Sequence, residues 1–112
     1  SSGTMWAGTS RGAFEYREGR FVRKLDGQGG LSNSDVRCLL DAGEEGLWIG
    51  TSYGLNRVSA EGVQSYTATA GDEPIEVVVS LHRDADGALW IGTMARGLYR
   101  FFRGEFQRFT TA

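Results

Sequence analysis

A four-residue string, Trp-Ala-Gly-Thr at Trp6 to Thr9, returns as Trp-Ile-Gly-Thr at Trp48 to Thr51 and again at Trp90 to Thr93, and both Trp-to-Trp steps are 42 residues. Self-similarity at a fixed period means that the chain repeats one supersecondary unit, and this excludes most single-copy folds. After each Thr comes a short variable tip and then Gly with an apolar residue: Gly12-Ala13, Gly54-Leu55 and Gly97-Leu98. A second turn carries Gly19, Gly62 or Gly104, and a further stretch of aliphatic and aromatic residues follows it. Strands of roughly five residues joined by turns of roughly three to six fit four strands into such a period, the size of a propeller blade. In strand order A to D, the second copy predicts Val36 to Leu40, Leu47 to Thr51, Leu55 to Val58 and Val63 to Thr67. The third predicts Val77 to Leu81, Leu89 to Thr93, Leu98 to Phe102 and Glu105 to Phe109. The first predicts only strands B to D, at Met5 to Thr9, Ala13 to Tyr16 and Phe21 to Leu25.

Composition agrees with an all-β class. Among 112 residues there are 17 glycines, one proline and 12% aromatics, which suits many short strands and tight turns. The formal net charge of −2 gives no electrostatic footprint for nucleic acid or an acidic membrane surface, so neither is expected as a partner. The apolar runs are only a few residues long, with no membrane span or signal-peptide core among them. A single cysteine, Cys38, makes neither an internal disulfide nor a Cys-based zinc site.

The expected architecture is an all-β β-propeller fragment of four-stranded antiparallel blades, about two and three-quarter of them: residues 4–30 as strands B to D of blade 1, 31–73 as blade 2 and 74–112 as blade 3. Gly3 stands before Trp6 as Gly87 does before Trp90, so the chain is expected to start inside the turn after a missing strand A. Closed propellers need about four to eight blades, so the expectation is an excerpt of a longer protein or a piece that assembles between chains.

The stretches Leu31-Ser32-Asn33-Ser34-Asp35-Val36 and Gly46-Leu47-Trp48-Ile49-Gly50-Thr51-Ser52-Tyr53-Gly54-Leu55-Asn56-Arg57 resemble the two-component regulator propeller repeat. So do Asp84-Ala85-Asp86-Gly87-Ala88-Leu89-Trp90-Ile91-Gly92-Thr93 and Gly97-Leu98-Tyr99-Arg100. The resemblance implies an extracytoplasmic, periplasmic sensor propeller of a hybrid histidine kinase or diguanylate cyclase. It would bind a small ligand, often a carbohydrate fragment, and pass the signal to an output domain. The second copy departs from the pattern by one extra residue between Asp41 and Trp48, and the first by Ala7 and Ala13 in place of Ile and Leu.

The repeated residues Trp6, Gly8, Thr9, Trp48, Gly50, Thr51, Trp90, Gly92 and Thr93 are read as architecture. Trp is expected to wedge between blades rather than offer a sugar platform, Gly to allow close approach and Thr to suit a strand. Asp84, Asp86 and Gly87 match the start of a calcium loop but lack its closing Glu, and an Asp-Gly turn explains them; no metal or cofactor is expected. The cluster Asp41, Glu44 and Glu45 reads likewise as a solvated tip. A sialidase Asp-box would put Asp five residues before Trp90, where Ala85 stands. The only histidine, His82, has no nucleophile elbow to serve, so no catalytic residue is expected. Cys38 reads as a small buried hydrophobe.

Variable tips on a rigid frame carry function. The B-to-C tips supply Arg11, Tyr53 and Arg96, and the D-to-A connections supply Asn33 and Asp35, then Asp72, Glu73 and Glu76. Guanidiniums and a phenol together suit carboxylates or sugar hydroxyls. The ligand-binding candidates are therefore Arg11, Tyr53, Arg96, Asn33 and Asp35. The function expected is a non-enzymatic sensory propeller region that binds a small molecule and packs against other blades, in the parent chain or in neighbouring subunits. A structural or protein-docking module is the alternative, and a propeller-scaffold glycosidase or lactonase the weaker one, since the acids scatter over turn tips.

Overall fold

The computed structural model describes residues 4–28, 30–43, 46–67, 75–94 and 97–109. Among these residues, short apolar stretches punctuated by glycine turns form eleven strands: β1 (Thr4–Thr9), β2 (Gly12–Arg17), β3 (Arg20–Leu25), β4 (Val36–Asp41), β5 (Leu47–Thr51), β6 (Leu55–Ser59), β7 (Gly62–Tyr66), β8 (Val78–Arg83), β9 (Leu89–Thr93), β10 (Leu98–Phe102) and β11 (Glu105–Phe109). They make three antiparallel meanders, β1-β2-β3, β4-β5-β6-β7 and β8-β9-β10-β11, the blades that the 42-residue period predicts. No helix among the described residues is long and apolar enough to cross a membrane.

The turns follow from local chemistry. Glu18-Gly19 and Arg103-Gly104 are two-residue hairpin loops with φ positive at both positions (52° and 80°, 53° and 82°), the type I′ geometry that matches strand twist. Gly is at home there, whereas Glu18 and Arg103 are held in a conformation costly for a side chain.

Several strand ends differ from the sequence expectation by one or two residues, and the start of β8 differs for a physical reason. Val77 was expected to open a strand, yet it sits at φ 44° before β8. Its N–H donates to the Ser52 carbonyl (2.8 Å) and its carbonyl accepts from the Met94 N–H (3.0 Å). One backbone bond to the second blade and one that prolongs the β8–β9 pairing hold it in that unusual conformation. Just beyond, β4 and β8 carry the same register slip, between Val36 and Cys38 and between Val78 and Ser80, so Arg37 and Val79 are the extra residues of equivalent bulges.

Successive residues of a strand face opposite sides of its sheet. Trp48 on β5 therefore faces the third sheet while Ile49 faces the first. Trp48, only 4% exposed, packs with Leu55, Val78, Leu89 and Ile91 and meets Tyr66 and Phe101 at ring centroid distances of 5.9 and 5.8 Å. Ile49 joins Ala13, Leu25, Val36 and Leu47 in a second core beside Trp6. The rule is directional: the Trp face of each sheet is covered by the Ile face of the next. At the close-packed inner strands, a methyl on Gly8 would come 2.7 Å from Val36 Cγ1, and one on Gly50 would come 2.5 Å from Val78 Cγ1. Val36 and Val78 are themselves one repeat apart, so each glycine is the notch that seats the next blade's valine.

Cys38 lies in the same seam, its Sγ 3.7 Å from the Val78 carbonyl oxygen. Burial pushes its thiol up to about 11, against a smaller downward pull from the Gly50 backbone hydrogen bond. A thiol so far from thiolate form is a poor nucleophile.

Candidate ligand-binding face

All three B-to-C turns are closed by the repeated Thr. Thr9, Thr51 and Thr93 donate through Oγ1 to the carbonyls of Gly12 (3.0 Å), Gly54 (3.0 Å) and Gly97 (2.7 Å). In the first two turns the same oxygen accepts the N–H of Arg11 (3.0 Å) or Tyr53 (3.1 Å). A hydroxyl that satisfies the turn's own backbone frees the tip residues from that task.

Between blades, the turns form a hydrogen-bonded seam. Ser52 N–H donates to the Asp35 carbonyl (3.0 Å), the Ser52 carbonyl accepts from Val77, and Val77 accepts from Met94. Gly54 N–H donates to Ile75 O at 2.7 Å. A polar group beneath holds the incoming connection: fully buried Asn56 accepts through Oδ1 from Ser32 N–H (3.0 Å) and Ser65 Oγ (2.7 Å) and donates through Nδ2 to Ser32 Oγ (3.0 Å). Ser32 Oγ also donates to the Tyr53 carbonyl at 2.6 Å.

On this frame the structure brings together Asn33, Asp35 and Tyr53. Asn33 Oδ1 accepts the Asp35 N–H (2.8 Å), and Asp35 Oδ2 accepts from Ser52 Oγ (2.5 Å), the neighbour of Tyr53. Arg37 completes the group, with Nε donating to Ser52 Oγ (3.1 Å) and Nη2 3.3 Å from Asp35 Oδ2. Tyr53 is 42% exposed and its backbone bridges to Glu76. Arg11 is exposed on the β1–β2 turn, one blade away. Arg96 lies outside the described residues, as do Glu44, Glu45, Asp72 and Glu73. Arg37, Ser52 and Asn56 were not singled out as ligand candidates; the signal available was that Ser52 and Asn56 flank Tyr53 within one repeat and that Arg37 follows Asp35.

At the opposite end, Asp84 organises the β8–β9 turn. Its Oδ1 accepts the N–H groups of Asp86 (2.9 Å) and Ala88 (3.0 Å), and its Oδ2 accepts Trp90 Nε1–H at 2.7 Å. Both oxygens thus serve the turn, and no cluster of three or more His, Cys, Asp or Glu able to hold a metal occurs among the described residues. The Trp90 indole, above all, holds the Asp84 carboxyl below its ordinary range, with backbone N–H groups adding to it. A lowered folded-state value means that the stabilisation is complete above the unfolded-state value and is lost as pH falls through the folded one. Following the Trp90 indole N–H resonance from about pH 6 to about pH 2, we expect a midpoint below the ~3.9 of an unstructured Asp. A midpoint at or above that value would contradict the geometry.

The sequence of residues 72–95, which runs through β8, this turn and β9, matches the family model described as Two component regulator propeller. No curated protein matches the chain. With β1 to β3 and β4 to β7 repeating the plan of β8 to β11, the chain is a run of β-propeller blades in which residues 72–95 are similar to the two component regulator propeller repeat.

Proposed function

We propose that these blades are the sensory part of a two-component or related signalling receptor, extracytoplasmic and without catalytic residues of their own. On this reading a small molecule, with carbohydrate the leading class, binds on the face built from the B-to-C turns and D-to-A connections. Arg11, Tyr53 and Arg96 are the contacting residues, with Asn33 and Asp35 beside them. The observation that carries the proposal is the hydrogen-bonded seam running Asp35, Ser52, Val77, Met94, because a ligand touching two tips there acts on more than one blade. A tenfold preference for one arrangement of the blades, about 1.4 kcal/mol, is enough to bias an output domain.

The test is native mass spectrometry for a co-purified molecule, then calorimetric titration with neutral and acidic monosaccharides. Arg11→Ala with Arg96→Ala, and Tyr53→Ala separately, are expected to weaken binding about tenfold or more while leaving the melting temperature unchanged. Loss of stability in step with binding would sink the assignment.

A docking role is favoured by a separate observation. The face of the first sheet turned away from the second carries Phe14, Tyr16 and Phe21, with Phe21 58% exposed and its ring 6.3 and 6.0 Å from the other two. Other blades, from the parent chain or a neighbouring subunit, are the partners that fit such a face.

A further inference from the structure

The two seams inside the chain are of different kinds, and the strand registers allow them to be compared position by position. Trp6 pairs with Glu15 as Trp48 pairs with Arg57 and Trp90 with Arg100, which fixes the equivalence of the three sheets. Between the first and second sheets, Trp6, Ala13 and Leu25 share a core with Ile49, Val58 and Val63, and apart from the Trp that core is aliphatic. Between the second and third, Trp48, Leu55 and Tyr66 share a core with Tyr99, Phe101 and Phe106. Its rings interlock: the Phe101 centroid lies 5.2 Å from that of Tyr66 and 4.6 Å from that of Phe106.

Each uncovered face carries one half of the aromatic kind. On the first sheet, Phe14, Tyr16 and Phe21 hold the positions of Tyr99, Phe101 and Phe106. Phe14 pairs with Ala7 as Tyr99 pairs with Ile91, and Tyr16 pairs with Phe21 as Phe101 pairs with Phe106. In the second sheet the same positions are Asn56, Val58 and Val63. On the third sheet, Trp90, Leu98 and Phe109 hold the positions of Trp48, Leu55 and Tyr66, since Leu98 pairs with Phe109 as Leu55 pairs with Tyr66. Rings left open to water on both faces hold apolar area that a fitting surface would bury.

We propose that the partner of these faces is a second molecule of this chain, whose first sheet seats on the third sheet of the first molecule and repeats the aromatic seam. Phe14, Tyr16 and Phe21 of one molecule take the places of Tyr99, Phe101 and Phe106 against Trp90, Leu98 and Phe109 of the other. A blade face of the aliphatic kind, with Val58 and Val63 at two of those positions, would leave voids where rings belong, and a void forfeits the contacts that close packing supplies. The inference rests on the docking role, which requires only blades as partners, and it names the blade.

The test is sedimentation velocity on the purified chain from about 1 to about 500 µM, over which dimers and larger species are expected to grow with concentration. A wild-type chain that stays monomeric throughout overturns the proposal and leaves the docking role to blades of another protein. Phe21→Glu and Phe109→Glu each place a charge on one of the two faces, at rings 58% and 39% exposed, so both variants are expected to keep the parent's far-UV spectrum. Each alone is expected to weaken association at least tenfold. Mixed, they are expected to form a one-to-one dimer, because the Phe21→Glu chain keeps its third sheet and the Phe109→Glu chain its first. No dimer in the mixture would overturn the proposal. Association lost in Phe21→Glu but kept in Phe109→Glu would overturn it while sparing the docking role of the first sheet, and association kept in both would overturn the two together.

Discussion

Trp48→Ala is expected to destabilise the chain by about 3–5 kcal/mol, a large part of the stability of a domain this size. The ring is buried at the meeting of two blades, against Tyr66 and Phe101, so truncation removes apolar burial and leaves a cavity that two rigid sheets cannot readily fill. Trp90→Ala is expected to cost clearly less, because that ring is only half-buried and lies beside Phe109 at a centroid distance of 5.4 Å on the uncovered face of the third sheet. Urea unfolding followed by circular dichroism would compare the two midpoints. Equal losses would mean that the blade seam around Trp48 is not the main source of stability.

The second large effect is expected from the smallest change. Gly50→Ala puts a methyl 2.5 Å from Val78 Cγ1 and 2.6 Å from Cys38 Sγ. Valine has little rotamer freedom to escape, so the blades must move apart, at a cost of about 1–3 kcal/mol. Val78→Ala vacates the nearest clashing atom, Cγ1, while Cys38 Sγ at 2.6 Å and the residue 78 Cβ at 2.9 Å remain, and the double variant is expected to be more stable than the sum of the single losses by about 0.5–3 kcal/mol. Simple additivity in the same urea series would show that the notch does not seat the neighbouring valine.

The strands were legible because each depends on neighbours close in sequence: the Gly turns and the Leu-Trp-Ile-Gly-Thr string place β5 and β9 at the residues expected, Leu47–Thr51 and Leu89–Thr93. Val77 was not legible, since its conformation is fixed by Ser52 and Met94 on other turns. Thr51 was read as a strand former, and its second task of closing the turn appears only once Gly54 O is in place. Of the five ligand candidates, Asn33 and Asp35 bond each other and reach Ser52, the neighbour of Tyr53, because the D-to-A connection returns beside the B-to-C tip of the same blade. Arg57, Arg83 and Arg103 line one cleft between the second and third blades although 26 and 20 residues separate them, on β6, β8 and the β10–β11 turn, and nothing local marks them as neighbours. Comparing copies would have given a hint: Glu15 occupies the place that Arg57 and Arg100 hold in the other two repeats.

The directional stacking of Trp faces onto Ile faces has a consequence for symmetry. The two uncovered sheet faces of this chain are different surfaces, one carrying Phe14, Tyr16 and Phe21 and the other Trp90, Leu98 and Phe109. Two copies joined by seating one of these surfaces on the other are not related by a twofold axis; each contact leaves a fresh unmatched surface at both ends. Growth of that kind stops only when the rotation per copy closes a ring, and otherwise continues as a filament.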